Sequence, residues 1–202
     1  MPLLEKGKFE RLVYLSSTRV YGLAPARTNE DAALAVQPGD PEHLYSASKI
    51  MGESLIATSG LPAHVLRLSN VVGVDHAGGN FLAQVLLEAM GTGRVTLRTA
   101  LASEKDYVEI KCVVRAILAV IEGQARQAVY NVAAGMNTRH SAIVEALAAL
   151  TGAKVDVVPN APLVAYPTID VERVRGDMAW NPTPVLEQLP ELVAAYRTAR
   201  RV

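Results

Sequence analysis

Six residues near the start of the chain, Arg11-Leu-Val-Tyr-Leu-Ser16, constrain the fold more than any other stretch. Apolar strand formers stand side by side there without alternating with polar residues. A strand with one wet face alternates, whereas a strand covered on both faces does not. Double coverage is chiefly the situation of parallel sheets flanked by helices.

The rest of the chain keeps that pattern. Gly22 to Pro41 holds Pro25, Pro38, Gly39 and Pro41 among polar residues and is expected to be a surface loop. Leu44 to Thr58 has helical spacing, with Gly60-Leu-Pro62 as its stop. Ala63 to Leu68 and Val129 to Val132 are expected strands, as are Arg94 to Leu101 and Lys154 to Val158. Helices are expected at Phe81 to Met90, Val113 to Glu122, Ser141 to Leu150, with Ser141 as the cap, and Glu187 to Arg200. Strands alternating with helices predict an α/β fold with a mainly parallel sheet. No repeat or linker divides the 202 residues, which suit a single domain.

Composition excludes several classes of function. The formal net charge is +0, so no basic face invites nucleic acid, and little charge opposes self-association. The longest apolar stretch, Val113 to Ile121, is broken by Arg115, so no membrane span is expected. One cysteine, Cys112, rules out an internal disulfide and reads as small core filler in a cytoplasmic protein. His43, His64, His76 and His140 are scattered, with no pair at metal-ligand spacing.

Tyr45 and Lys49 carry the first chemical signal, four apart at the start of a helix and so on one face. An ammonium beside a phenol favours the phenolate, and such a tyrosine can pass a proton to or from a hydroxyl. The Arg11 to Ser16 strand runs into Ser16-Ser-Thr-Arg-Val-Tyr-Gly22, which places hydroxyls where open α/β sheets put ligands. Ser17 can therefore share an oxygen with Tyr45.

Ser16-Ser17 before Val20-Tyr21-Gly22, then Tyr45-Ser-Ala-Ser-Lys49, resembles the active-site strand and helix of extended short-chain dehydrogenases/reductases. The likeness is to the NAD-dependent nucleotide-sugar epimerase/dehydratase family, the UDP-galactose 4-epimerase branch being nearest. It continues in order through Arg67-Leu-Ser-Asn70-Val-Val-Gly73, Asp106-Tyr-Val108, Tyr130-Asn-Val132, Asp170 and Met178-Ala-Trp180-Asn-Pro182. The resemblance implies a Rossmann-like, mainly parallel sheet lacking its N-terminal half, with a small α/β C-terminal substrate-binding part. Residues 1–70 and 113–133 would form the Rossmann-like core, and 71–112 with 134–202 the substrate-binding part. It also implies Ser17, Tyr45 and Lys49 as catalytic residues, with Tyr45, Lys49 and Ser16 against NAD or NADP. Asn70, Lys105 and Arg175 would bind the nucleotide-sugar.

The sequence also departs from the family. The glycine-rich turn that holds the cofactor pyrophosphate would precede Arg11, and Gly91-Thr-Gly93 follows a helix instead of opening one. Cofactor binding by this chain alone is therefore not expected to be complete. Without that front the Arg11 to Ser16 strand becomes a sheet edge, which predicts a homo-oligomer. Lys105 stands where the family commonly has Arg, and Gly176, beside Arg173 and Arg175, where some relatives carry a phosphate-binding Arg. Thr18 and Arg19 replace the Asp-Glu pair of sugar 4,6-dehydratases, leaving epimerisation, keto reduction or oxidation. The alternative is an inactive remnant serving as an oligomeric binding module.

Overall fold

A computed structural model of the chain describes residues 9–23, 25–75 and 79–199. The elements are β1 (Leu12–Ser17), a 3-10 turn (Thr18–Tyr21), α1 (Pro41–Thr58), β2 (Ala63–Leu68), β3 (Asn70–Val72), α2 (Phe81–Thr92), β4 (Arg94–Leu97) and β5 (Glu104–Glu109). They continue with α3 (Ile110–Ile121), β6 (Val129–Val132), β7 (Asn137–Arg139), α4 (His140–Thr151), β8 (Lys154–Val157), α5 (Glu172–Asp177) and α6 (Val185–Ala199). The fold is α/β and its pairing mainly parallel. β1, β2 and β6 form one parallel sheet, with Leu12 opposite Ala63 and Leu66 opposite Tyr130. β3 and β5 pair in parallel and β7 joins β5 antiparallel, while β4 and β8 make a parallel pair. Among the described residues no helix is long and apolar enough to cross a membrane.

Side-chain alternation explains how the first sheet is covered. Arg67 of β2 reaches Glu53 of α1, so Val65 and Arg67 face α1. Leu66 and Leu68 then face the other way, into a cluster with Val113 and Ala116 of α3. Leu66, Tyr130 and Val132 are fully buried, each such aliphatic side chain contributing about 1.5–3 kcal/mol. A second cluster joins Leu82 and Leu86 of α2, Leu97, Tyr107, Leu147 and Leu189.

β1 has helix α1 against Tyr14 on one face and the cluster of α3 against Val13 on the other, and among the described residues it is the edge strand that the sequence predicts. β1 pairs with β2 alone, and Leu15 is 40% exposed. α1 begins at Pro41, three residues before Leu44, since proline's missing N–H costs nothing in a first turn. Ser141 is not the cap of α4: that helix starts at His140, and Arg139 at the cap position makes no side-chain bond. The final helix starts at Val185 instead of Glu187, and Arg200 lies outside the described residues, as does His76. β3, β5, β7 and α5 were not anticipated.

A buried ion pair locks α1 to the sheet. Arg67 is 4% exposed and Glu53 8%, and the guanidinium meets the carboxylate at 2.7 Å through Nη2 and 3.1 Å through Nε. Arg67 Nη1 also donates to the Tyr21 hydroxyl at 2.8 Å, and Tyr21 donates to Asn131 Oδ1 of β6 at 2.8 Å. Burial works against the Arg67 charge, but Glu53 and Tyr21 outweigh it and its pKa is raised. Removing one member strands the other, which costs about 3–5 kcal/mol. Glu53→Gln and Arg67→Met are each expected to lower the unfolding free energy, read from urea denaturation, by that margin. The Glu53→Leu/Arg67→Met double variant should recover most of the loss. Additive losses in the double variant would contradict the pairing.

Candidate active site at the carboxyl end of β1

The site begins where β1 ends. Ser17 caps the 3-10 turn, its Oγ accepting from Arg19 N at 3.2 Å, and its side chain points into a cleft. Thr18, Arg19, Ser69, Asn70, Asp106 and Tyr166 line that cleft with it. The helix α1 is drawn up to the turn by Ser46, whose Oγ donates to Arg19 O at 3.0 Å. Tyr45, the residue before Ser46, is 45% exposed, and the Arg19 guanidinium carbon lies 5.8 Å from its ring centre.

Lys49 sits one turn further along α1. Its Nζ lies 5.7 Å from the Tyr45 ring centre and donates to Leu15 O at 2.9 Å. The same ammonium lies 5.5 Å from the Tyr14 ring centre. Tyr14 can lie that close because residue 52 is glycine: a Cβ there would stand 2.1 Å from the Tyr14 hydroxyl. Burial, followed by the charge of Glu53, pushes the Tyr14 hydroxyl pKa up. Tyr14 is therefore a neutral ring under the ammonium, and it leaves the remaining two N–H groups of Lys49 available to a ligand. Ser16 is turned away from this opening, its hydroxyl donating to Glu53 Oε1.

The opposite wall comes from the second sheet. Asn70 heads β3 and its Nδ2 donates to Asp106 O at 2.8 Å, so its amide is committed to the β3–β5 junction. Asp106, 3% exposed, accepts from the backbone N–H groups of Ala134, Gly135 and Met136 at 2.9, 2.7 and 3.1 Å. It thereby ties the loop after β6 to β5. Gly135 adopts φ 77°, and a Cβ there would meet Val171 at 2.7 Å, so the tight turn and the close approach both require glycine. Burial pushes the Asp106 carboxyl pKa up, against the pull of its hydrogen bonds. Lys105 lies 5.9 Å from the Phe81 ring centre and 5.6 Å from that of Tyr166. Burial, with Arg19 as the second cause, lowers its pKa.

Of the residues predicted from sequence, Ser17 and Asn70 line the cleft; Tyr45 stands beside its Arg19, Lys49 one turn further along α1, and Lys105 behind Tyr166, none of these three being among the lining residues. Arg175 stands apart: α5 directs it to Glu172 at 2.9 Å, and it is not among the residues lining the cleft. Tyr166 lies in an irregular segment with no periodicity to mark it, and Asp106 is marked in the sequence only by the Asp106-Tyr-Val108 motif. His140 is a core residue, fully buried, stacked on Phe81 at 3.8 Å and bonded to Thr99 through Nδ1; burial holds its pKa down at about 4. Cys112 is fully buried against Glu109 and Arg115. Among the described residues no cluster of His, Cys, Asp or Glu could hold a metal ion.

The site can be set beside known proteins. The chain is 27% identical to the dTDP-6-deoxy-L-talose 4-dehydrogenase (NAD(P)(+)) of Kitasatospora kifunensis, over 94% of this chain and 64% of that protein. It is 23% identical to the dTDP-4-dehydro-6-deoxyglucose reductase of Escherichia coli, over 93% of this chain and 62% of the relative. The chain therefore spans less than two thirds of the length of these curated relatives. In fold it is similar to MoeE5 in complex with UDP-glucuronic acid and NAD, with a TM-score of 0.81 and 23% identity over 98% of this chain and 68% of that one. It is similar too to the UDP-glucuronic acid 4-epimerase of Bacillus cereus, with a TM-score of 0.77 and 18% identity over 96% of this chain and 65% of that one. The model of the NAD dependent epimerase/dehydratase family matches residues 3–133. With that match covering the strand of Ser17, the helix of Tyr45 and Lys49 and the junction at Asn70, the chain belongs to the NAD dependent epimerase/dehydratase family.

Proposed function

We propose that this chain carries the proton-transfer and substrate-binding part of an NAD(P)-dependent epimerase or oxidoreductase acting on a nucleotide-sugar. The observation that carries the reading is the placement of Lys49, 5.7 Å from the Tyr45 ring centre and bonded to the carbonyl of Leu15, two residues before Ser17. An acid/base, a cation and a hydroxyl donor then meet at the carboxyl end of a parallel strand. The family is NAD-dependent, and both solved relatives named above hold NAD and a nucleotide-sugar.

The residues fit the nicotinamide-ribose end of that cofactor. Lys49 has two N–H groups free of Leu15 for ribose hydroxyls, and the half-exposed Tyr45 lies beside it. Ser16, bonded to Glu53, would act on the cofactor only by holding the helix in place. When bound, NAD supplies an acceptor for hydride from a sugar carbon. Ser17 donates a hydrogen bond to the oxygen on that carbon, and Tyr45 takes up its proton. Lys49 sets its positive charge beside the Tyr45 ring, and Lys105 would answer the diphosphate. Thr18 and Arg19 offer no carboxyl group to expel water, so the chemistry is epimerisation, oxidation or keto reduction.

Tyr45→Phe tests this directly. Turnover of nucleotide-sugars with NAD, followed by absorbance of reduced cofactor or by product chromatography, should fall by roughly 100- to 10,000-fold. Nucleotide-sugar binding should stay within about twofold. Unchanged turnover in the variant would remove Tyr45 from its role.

We also propose that the chain self-associates through the free edge of β1. Leu12 N bonds Pro62 O on the β2 side, so by alternation Val13 and Leu15 turn their backbone groups away from β2, the Leu15 carbonyl meeting Lys49 and the Val13 groups left unpaired among the described residues. Light scattering should report a mass above the 21.6 kDa of one chain, and Val13→Pro, which removes an outward donor, should return it to a single chain. A wild-type chain that is strictly monomeric at high concentration would contradict this.

A further inference from the structure

Arg19 is the residue of the cleft that the proton-transfer scheme leaves unused. Its backbone is fixed at both ends: the N–H is held by Ser17 Oγ, and the carbonyl takes bonds from Ser46 Oγ and Gly22 N, each at 3.0 Å. Its guanidinium carbon stands 5.8 Å from the Tyr45 ring centre, at the reacting end of the cleft. Among the described residues it forms no ion pair with any carboxylate.

The neighbourhood sharpens this. Lys105, 5.6 Å from the ring centre of the cleft residue Tyr166, adds a second positive charge behind that wall, near enough for the Arg19 charge to be felt there. The carboxylate that lines the cleft, Asp106, is spent on three backbone N–H groups and buried. The opening therefore carries positive charge that the chain's own residues do not balance, and arginine cannot relieve it by losing a proton. A single anion at the diphosphate would answer Lys105. Arg19, resting against the acid/base, lies where the hexose must sit if Tyr45 acts on it.

Building on the proposed function, the geometry points to Arg19 as the specificity residue for a nucleotide-sugar whose hexose itself carries a carboxylate, a nucleotide-linked uronic acid. A planar guanidinium offers a carboxylate two parallel N–H bonds, a match that a neutral hydroxymethyl group cannot make.

Calorimetric titration of the full chain separates the sources of negative charge. The probes are UDP-glucuronic acid, UDP-glucose and UDP alone, together with the thymidine diphosphate forms of both sugars. The wild-type chain should bind the glucuronic acid form about tenfold more tightly than the glucose form of the same nucleotide. Arg19→Gln should erase that difference while leaving the glucose form within about twofold, and Arg19→Lys should keep part of it. Equal affinities in the wild type, or a preference that survives Arg19→Gln, would overturn the assignment. So would an equal weakening of UDP, UDP-glucose and UDP-glucuronic acid by Arg19→Gln, which would place the residue on the diphosphate. Failure of every nucleotide-sugar to bind would instead overturn the proposed function, and this assignment with it.

Discussion

One buried guanidinium organises the half of the molecule that holds the candidate site. Arg67 joins β2 to α1 through Glu53, to the turn after β1 through the Tyr21 hydroxyl, and to the following loop through the Glu30 carbonyl at 3.2 Å. Tyr21 carries the connection on to Asn131 of β6, whose amide holds the carbonyls of Thr28 and Asp170. Charges this deep are tolerated only when every hydrogen-bonding direction is answered, so the network admits one relative placement of these elements. Tyr45, Lys49 and Glu53 recur at four-residue spacing and share a face of α1. Holding Glu53 therefore sets where Lys49 meets Leu15 and where Tyr45 stands beside Arg19.

That dependence explains why so much of the site was legible in the sequence. Tyr45 and Lys49 are read from helical spacing and Ser17 from its place after an apolar strand, and both rules survive folding because the elements are regular. β2 and β6 were found at their observed bounds because their cores, Val65 to Arg67 and Tyr130 to Val132, are buried. β5 escaped notice because Glu104-Lys-Asp-Tyr-Val-Glu109 looks like surface. Its polarity is local duty: Asp106 binds the loop after β6 and Lys105 lies between two rings. The three-residue strands β3 and β7 and the six-residue α5 are too short for any period to register. Arg175 was placed by likeness alone, and α5 turns it to Glu172 instead.

β1 combines an apolar run with the edge position expected of it. Its composition is that of a strand covered on both faces, and among the described residues it is an edge, with Leu15 partly open. The apolar run answers to its two faces, and among the described residues β2 is its one paired neighbour. Local pattern shows what an element needs; it does not show what meets the need.

The central claim is that Ser17, Tyr45 and Lys49 form one working site, with the cofactor's nicotinamide ribose resting on Lys49. Calorimetric titration of NAD into the full chain and into Lys49→Met tests it most directly. Saturable binding in the millimolar range or tighter is expected, weakened about tenfold or more in the variant, since a bond from a charged donor is lost. Identical binding by the two chains, or no saturable binding to the wild type at millimolar NAD, would contradict it.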